Sequence, residues 1–506
     1  VALVARGRLP EQLDRIDGEL VPPRDVLVGA PLCDPSTGEA LQPRRATAPG
    51  DVERAIATSH RVHRSGEWAD LGVDERAAWL ERIAVELDAA TGGDRDRDGD
   101  SDGCVDSRDA VAIAESTGSG VPISVTRLFA GSLAGAFRGA IAQLRAAGVR
   151  TELPGPVRPV ELLRLPWGPA AVLVPWNAPA AMAAGKVATA LAAGCPVLLK
   201  PPEWSPLGCN LLADALHRAG LPPGVFQMVH GGPATGAALT SDPRVRVVSF
   251  TGGLAAGRAI ARAAAEHFPA LQLELGGNNP AIVRPDAPLE ATAAALAAGI
   301  AKLNGQWCEA PGKVLVAREL HDDLVDAVRE HLARRTIGHH LDPDTAIGPL
   351  SHESHRARLD HQVAELVADG AEVLVAGEAP DLPGWFWPPR LVVGVAAERC
   401  VDELFGPVVT VHPVDGDSDA VALANDTPYG LAGYVFSADL DAAQAIGRRI
   451  RFGEVKVNGT SVIDLTPASS QSFWGLSGIG GHGAAEVFRS FTGTQIVGVD
   501  HPEAPI

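Results

Sequence analysis

Hydrophobic and polar positions change rhythm several times along the chain, and each rhythm predicts a different element. From Asp51 to Arg64 and again from Val73 to Ala90, apolar residues recur at helical spacing, so two helices are expected with a Gly and Trp turn between them. Residues 148–168, GVRTELPGPVRPVELLRLPWG, alternate apolar with polar around Gly155 and Pro156, the period of a hairpin. Beyond them AAVLVPW, CPVLLKP, VFQMVHG and VRVVSFTG are short β-rich runs. Each leads into a helical stretch that often opens with Gly or Pro, the signature of a parallel sheet with crossover helices. A second set follows: PAIV, KVLVA, AEVLVAG, PVVTVHPV and EVKVNG. The expected fold class is α/β, without an internal repeat of fixed period.

Composition narrows the partners. With 506 residues, 46% of them apolar, the chain is long enough for several domains and can bury a sizeable core. Its 62 acidic residues outnumber 43 basic ones, and the formal charge of -19 disfavours nucleic acid or an anionic membrane surface. The longest apolar region, Gly168 to Leu199, is broken by Pro175, Asn177, Pro179 and Lys186, and the opening VALVARGRLPEQLDRIDGEL has no uninterrupted apolar segment. Neither a membrane span nor an export signal is expected. Cysteines at 33, 104, 195, 209, 308 and 400 show no paired spacing, which suits free thiols in a reducing cytoplasm.

One segment departs from the α/β rhythm. DRDRDGDSDGCVDSRD, residues 94–109, places Asp98, Asp100, Asp102, Asp106 and Asp109 at loop positions 1, 3, 5, 9 and 12. Gly103 stands at the sharp turn and Cys104 offers a backbone carbonyl, the oxygen spacing that a calcium ion needs. A solvated acidic loop partly neutralised by Arg95, Arg97 and Arg108 is the plainer alternative. The loop resembles dockerin-type and other single EF-hand-like modules, although Asp109 stands where Glu is usual. Ca2+ here would be structural, bracing two helices away from any catalytic tunnel.

Chemistry-bearing residues cluster at strand ends. The run AVLV leads to Trp176 and Asn177, an amide positioned to donate to an oxyanion, though turn asparagines are most often structural. LLKPPEWSP puts Lys200 and Glu203 three apart, suited to a ribose or to an ion pair. Gly231 and Gly236 in HGGPATGAAL, and Gly252, Gly253 and Gly257 in SFTGGLAAGRAI, stand between strand and helix, where backbone can approach a phosphate. Glu274 in LQLELGGNNP lies among apolar residues, where a carboxylate needs a partner. Cys308 in LNGQWCEAPG is either a small buried residue or a nucleophile.

In chain order, PWNAP, LLKPPEWSP, SFTGG, LELGGNNP, GQWC and DELFGPV resemble the PWN, LKPSE-type, FTGS, LELGGKxP, GQxC and EIFGPV segments of the aldehyde dehydrogenase superfamily. The resemblance covers nearly the whole chain. It implies Cys308 as the nucleophile that forms a thiohemiacetal and then a thioester, and Asn177 with the Cys308 backbone N–H as the oxyanion site. Glu274 would be the base that activates water. It further implies NAD as cofactor, bound through Trp176, Lys200, Glu203, Gly231, Gly236, Gly252, Gly253, Glu403 and Phe405. Glu203 implies NAD in preference to NADP, because a carboxylate at the ribose repels an added phosphate.

The same resemblance implies a Rossmann-like cofactor domain from residues 1–147 and 169–273, a catalytic domain from 274–482, and a β arm. The arm combines 148–168 with 483–506, and its open edge implies a homodimer or homotetramer. Asn278, Gly253 and Ala178 differ from the commoner pattern, and SFWGLSGIGGHG is about two residues shorter than the matching C-terminal motif and lacks its Lys. Trp307 is either a pocket wall or a packed aromatic. Two alternatives stand beside aldehyde oxidation with water as acceptor: a CoA-acylating dehydrogenase, and a catalytically silent calcium-binding scaffold of the same fold.

Overall fold

The structure, a computed structural model, describes residues 9–91, 109–462 and 464–501. Two parallel sheets dominate it, as the two sets of apolar runs predict. The first has eight strands in the order Glu19–Val21, Asp14–Ile16, Phe226–Met228, Val197–Lys200, Ala170–Leu173, Val247–Thr251, Ala270–Glu274 and Gly478–Ile479. Its five inner strands are parallel and its flanking ones antiparallel. The chain steps outward from Ala170–Leu173 to Val197–Lys200 and Phe226–Met228, then returns to the other side of the starting strand at Val247–Thr251. That reversal opens a crevice at the carboxyl ends of the strands, where an α/β sheet binds its ligand.

Both faces of this sheet are covered, which is why its strands read as continuous apolar runs. Ala170, Val172, Val197 and Leu199 face a core built with the helices Val73–Thr91, Ile123–Ala147 and Pro179–Ala193. Ala171, Leu173 and Leu198 face the opposite core with the helix Pro49–Ser65. The helices expected at 51–64 and 73–90 are thus present and lie on opposite faces.

The second sheet has seven strands in the order Glu372–Val375, Arg390–Val393, Val408–Val414, Pro311–Ala317, Asn279–Val283, Ala432–Phe436 and Glu454–Val457. All are parallel except Glu372–Val375 at one edge. A third, antiparallel sheet joins Arg150–Leu153, Val160–Pro166 and the C-terminal Thr492–Val497. Ile496 and Val497 on its outer strand are exposed.

The acidic loop from Asp98 to Asp106 lies outside the described residues. Asp109 is described, and its carboxylate is held by the Arg127 guanidinium through bonds of 2.6 and 3.2 Å. The five described cysteines are free. No helix among the described residues is long and apolar enough to cross a membrane.

Phe137, fully buried on the helix Ile123–Ala147, anchors the first core. Phe137→Ala is expected to destabilise the fold by about 3–5 kcal/mol, read as a clear fall in the thermal unfolding midpoint.

Candidate active site

The segment that carries Cys308 begins where the alanine-rich helix Leu289–Ala301 stops. Leu303 and Asn304 adopt left-handed backbone, with φ of 53° and 58°. Non-glycine residues hold this conformation at a cost of roughly 1–2 kcal/mol each, so something must offset it. The Asn304 amide donates to the Gly120 and Pro349 carbonyls at 2.8 and 2.9 Å and accepts from the Gly348 N–H at 2.8 Å. Gln306 donates to the Ser119 carbonyl at 3.2 Å and accepts from the Ser351 N–H at 3.0 Å. Buried amides with every arm engaged thereby impose the turn.

Those bonds draw in the carboxyl end of the helix Ala110–Ser119, the helix that follows the acidic insert. The segment that carries Cys308 is thus bonded directly to the end of that helix. Gly305, at φ 72°, passes so close to a neighbouring turn that a Cβ would lie 2.1 Å from Gly406 C and Pro407 N. Trp307 is buried, donates its indole N–H to the Gly299 carbonyl at 2.9 Å, and lies under Lys302. It is a packed aromatic, set against Val121, Val125, Phe129 and Leu303. On the far side of Cys308, the Asn279 amide donates to the Cys308 and Ala310 carbonyls at 2.9 and 2.8 Å. Sequence reading passed over Asn279 for its neighbour Asn278, which bonds the Cys400 carbonyl.

Cys308 itself is half-buried, and its thiol is pushed well above the ordinary range, first by burial and then by the Glu274, Glu309 and Glu403 carboxylates. Its resting form is the neutral thiol, which needs a base to become a nucleophile. Glu274 ends its strand in the first sheet, almost fully buried and near enough to interact with that thiol. Its Oε2 accepts from the Thr251 hydroxyl at 3.1 Å and lies 3.0 Å from His482 Nε2. Its Oε1 has no well-formed hydrogen bond. Burial works against ionisation, but His482 and Lys186 outweigh it and keep the carboxylate charged well below its usual range.

Lys186 is buried nearby, donating to Ser249 Oγ and Gln272 Oε1 at 2.8 Å each, and burial pushes it down to about 8. Asn177 follows the strand Ala170–Leu173 and donates at 2.8 Å to the Gln306 carbonyl, two residues before Cys308. An amide nitrogen carries two protons, so one remains for a ligand. His482 escaped sequence reading. The signal was present as a lone His in the shortened Gly-rich segment, but nothing local connects it to Glu274.

The remaining sequence-selected residues lie near strand and helix ends of the two sheets. Lys200 is buried, donates at 2.8 Å to the Pro201 and Gly231 carbonyls and lies 3.6 Å from Glu203, so the pair is not an ordinary surface bridge. Gly236 follows in the helix Pro233–Thr240. The Gly252 N–H donates to the Glu274 carbonyl at 3.0 Å, and Gly253 caps the helix Leu254–Ala264. The Glu403 carboxylate accepts the Gly277 N–H at 3.1 Å, and burial pushes it up to about 8. It reaches that position past Gly276, at φ 79°, where a Cβ would lie 2.3 Å from Glu403 Oε1. Phe405 meets Trp176 edge-on, ring centres 5.5 Å apart.

Two sheets, the first with a strand reversal, and a thiol beside a carboxylate define an α/β protein with its reactive groups gathered at strand ends. Residues 102–497 match the Aldehyde dehydrogenase family, and the chain belongs to it. It is 35% identical to the geranial dehydrogenase of Castellaniella defragrans over 81% of this chain and 83% of that one. It is 30% identical to the betaine aldehyde dehydrogenase of Bacillus subtilis over 84% of each. Among solved structures, betaine aldehyde dehydrogenase from Staphylococcus aureus in complex with NAD+ superposes with a TM-score of 0.88 at 26% identity, covering 98% of this chain and 96% of that one. An aldehyde dehydrogenase of Pseudomonas syringae in complex with NAD+ and octanal gives 0.87 at 28% identity, with 97% and 98% covered.

Gly305→Ala is expected to lower the thermal midpoint, by strain equivalent to about 1–3 kcal/mol. Gly459→Ala, where an added Cβ meets nothing within 4 Å, serves as the control that leaves the midpoint in place.

Proposed function

We propose that the protein oxidises an aldehyde to a carboxylic acid with NAD, through a thioester on Cys308 that water hydrolyses. The observation that carries this reading is Glu274: a buried, ionised carboxylate beside the thiol, with one oxygen left without a partner. As Cys308 Sγ adds to the aldehyde carbon, its proton passes to Glu274, whose charged resting form is ready to accept it. The new oxyanion accepts hydrogen bonds from the free Asn177 amide N–H and the Cys308 backbone N–H. NAD, when bound, supplies the oxidant by accepting hydride from the reacting carbon. Glu274 gives up that first proton to solvent, and the resulting thioester is then attacked by water as Glu274 takes the water's proton. That proton returns to the departing thiolate, and the acid is released.

Lys200, Glu203, Gly231 and Gly236 would hold the adenosine half of NAD, with Glu203 disfavouring the added phosphate of NADP. Trp176, Gly252, Gly253, Glu403 and Phe405 would hold the nicotinamide half. The arm, with its exposed Ile496 and Val497, would assemble a homodimer or homotetramer through its open strand edge. The free cysteines fit the reducing cytoplasm.

NADH formation across aliphatic, aromatic and semialdehyde substrates tests the reading, with Cys308→Ala expected to abolish turnover. Glu274→Gln should leave a thioester that water cannot clear, so that a first turnover of NADH is followed by a steady state slower by about 100-fold or more. Turnover that depends on coenzyme A, or a wild type silent on the whole panel, would overturn the proposal. Glu203→Ala should raise the preference for NADP over NAD about tenfold in kcat/KM, equivalent to about 1.4 kcal/mol.

A further inference from the structure

We infer that His482 is a positioning residue for Glu274, holding Oε2 so that Oε1 stays free for the thiol and for water, and that this pair sets the acid limit of activity. The inference rests on the reading of Glu274 as the base. Geometry carries it: His482 Nε2 lies 3.0 Å from Oε2, the oxygen that Thr251 also engages, while Oε1 is unpartnered.

The fold builds this contact deliberately close. Strand Gly478–Ile479 pairs with Leu273 and Glu274, and at Gly478, with φ 136°, a Cβ would lie 1.7 Å from the Leu273 carbonyl oxygen. The chain then turns so that His482 pairs with Gln471, and its half-buried ring meets Phe473 edge-on at 4.9 Å. The Gly481 carbonyl accepts from Gln272, whose Oε1 binds Lys186. Imidazole and carboxylate are therefore braced from both sides.

The charged groups around His482 are few. Glu274 comes from the first sheet, Lys186 from the helix Pro179–Ala193 and Glu309 from the segment after Cys308. On the following helix, Ala484–Ser490, Glu486 and Arg489 pair with one another at 3.0 Å. Burial disfavours the imidazolium, but Glu274 outweighs it and His482 holds its proton above the ordinary range. Glu274 is correspondingly ionised down to well below its own range. Removing the cation leaves burial opposed mainly by Lys186, so the carboxylate would gain its charge only at higher pH. Activity should then be lost from the acid side and recover as pH rises.

The experiment compares wild type, His482→Ala and His482→Gln by kcat/KM for NADH formation from pH 6 to pH 9. Steady-state hydrolysis of p-nitrophenyl acetate without NAD is the second readout. In that reaction Cys308 displaces p-nitrophenol, and water then releases acetate from the acyl thioester and restores the thiol. In the wild type the acid limb lies below this range, because Glu274 is held at about 2; His482→Ala is expected to bring it up into the range in both profiles, a roughly tenfold deficit near pH 6 that narrows toward pH 9. His482→Gln, which keeps a donor without a charge, should shift in the same direction and guards against a variant that fails to fold. A loss of equal size at every pH, or an unchanged profile in both variants, would overturn the inference. Ester hydrolysis with the expected shift but no NADH from the wild type would reject the dehydrogenase reading alone. Undiminished ester turnover in Glu274→Gln would remove Glu274 as base, and this inference with it.

Discussion

A carboxylate buried at the end of a strand stays charged only if positive groups are brought to it from elsewhere in the chain, and that requirement shapes the centre of this protein. Glu274 leaves the first sheet where Lys186 rises from a helix packed on that sheet. His482 arrives from a segment over two hundred residues later in the chain, stitched to the same strand through Gly478 and Ile479. Without them, desolvation would favour the neutral acid. The sheet edge, the glycines of the C-terminal segment and the hydroxyl of Thr251 all serve this one charge.

Opposite it stands a segment under backbone strain. Leu303, Asn304 and Gly305 hold left-handed conformations because Asn304 and Gln306 are bonded to carbonyls and N–H groups on either side. Cys308 is thereby presented at the amino end of Pro311–Ala317 in the second sheet, near the Glu274 carboxylate at the carboxyl end of a strand in the first. Neither sheet holds both groups, so chemistry between them depends on how the two sheets meet. The Asn177 amide spans that junction, rooted after a strand of the first sheet and bonded to the segment ahead of Cys308.

Much of this was legible in the chain. Apolar runs covered on both faces, such as Ala170–Leu173 and Val197–Lys200, announce a parallel sheet because no polar face is left to alternate. Six spaced motifs suffice to place the chain in its family. Cys308, Glu274 and Asn177 stood out at turns and strand ends, but only the family motifs around them implied their roles. The two- and three-residue strands between Asp14 and Ala46 carry too few positions for a period to register. Nor did sequence spacing, which offered Asp109 to a cation, announce that its carboxylate pairs with Arg127, eighteen residues on.

The order of local patterns thus determined fold class, family and the chemical groups available, since period, turn chemistry and motif spacing are properties of neighbouring residues. Tertiary structure alone decided their partners: His482 for Glu274, Asn279 for the Cys308 carbonyl, and the helix Ala110–Ser119 for the nucleophile turn. Each of these contacts joins residues 29 or more apart, and hydrogen bonds and ion pairs across such separations leave no periodic trace in the sequence. They exist only once burial has brought the two sheets together and left their polar groups no water to turn to.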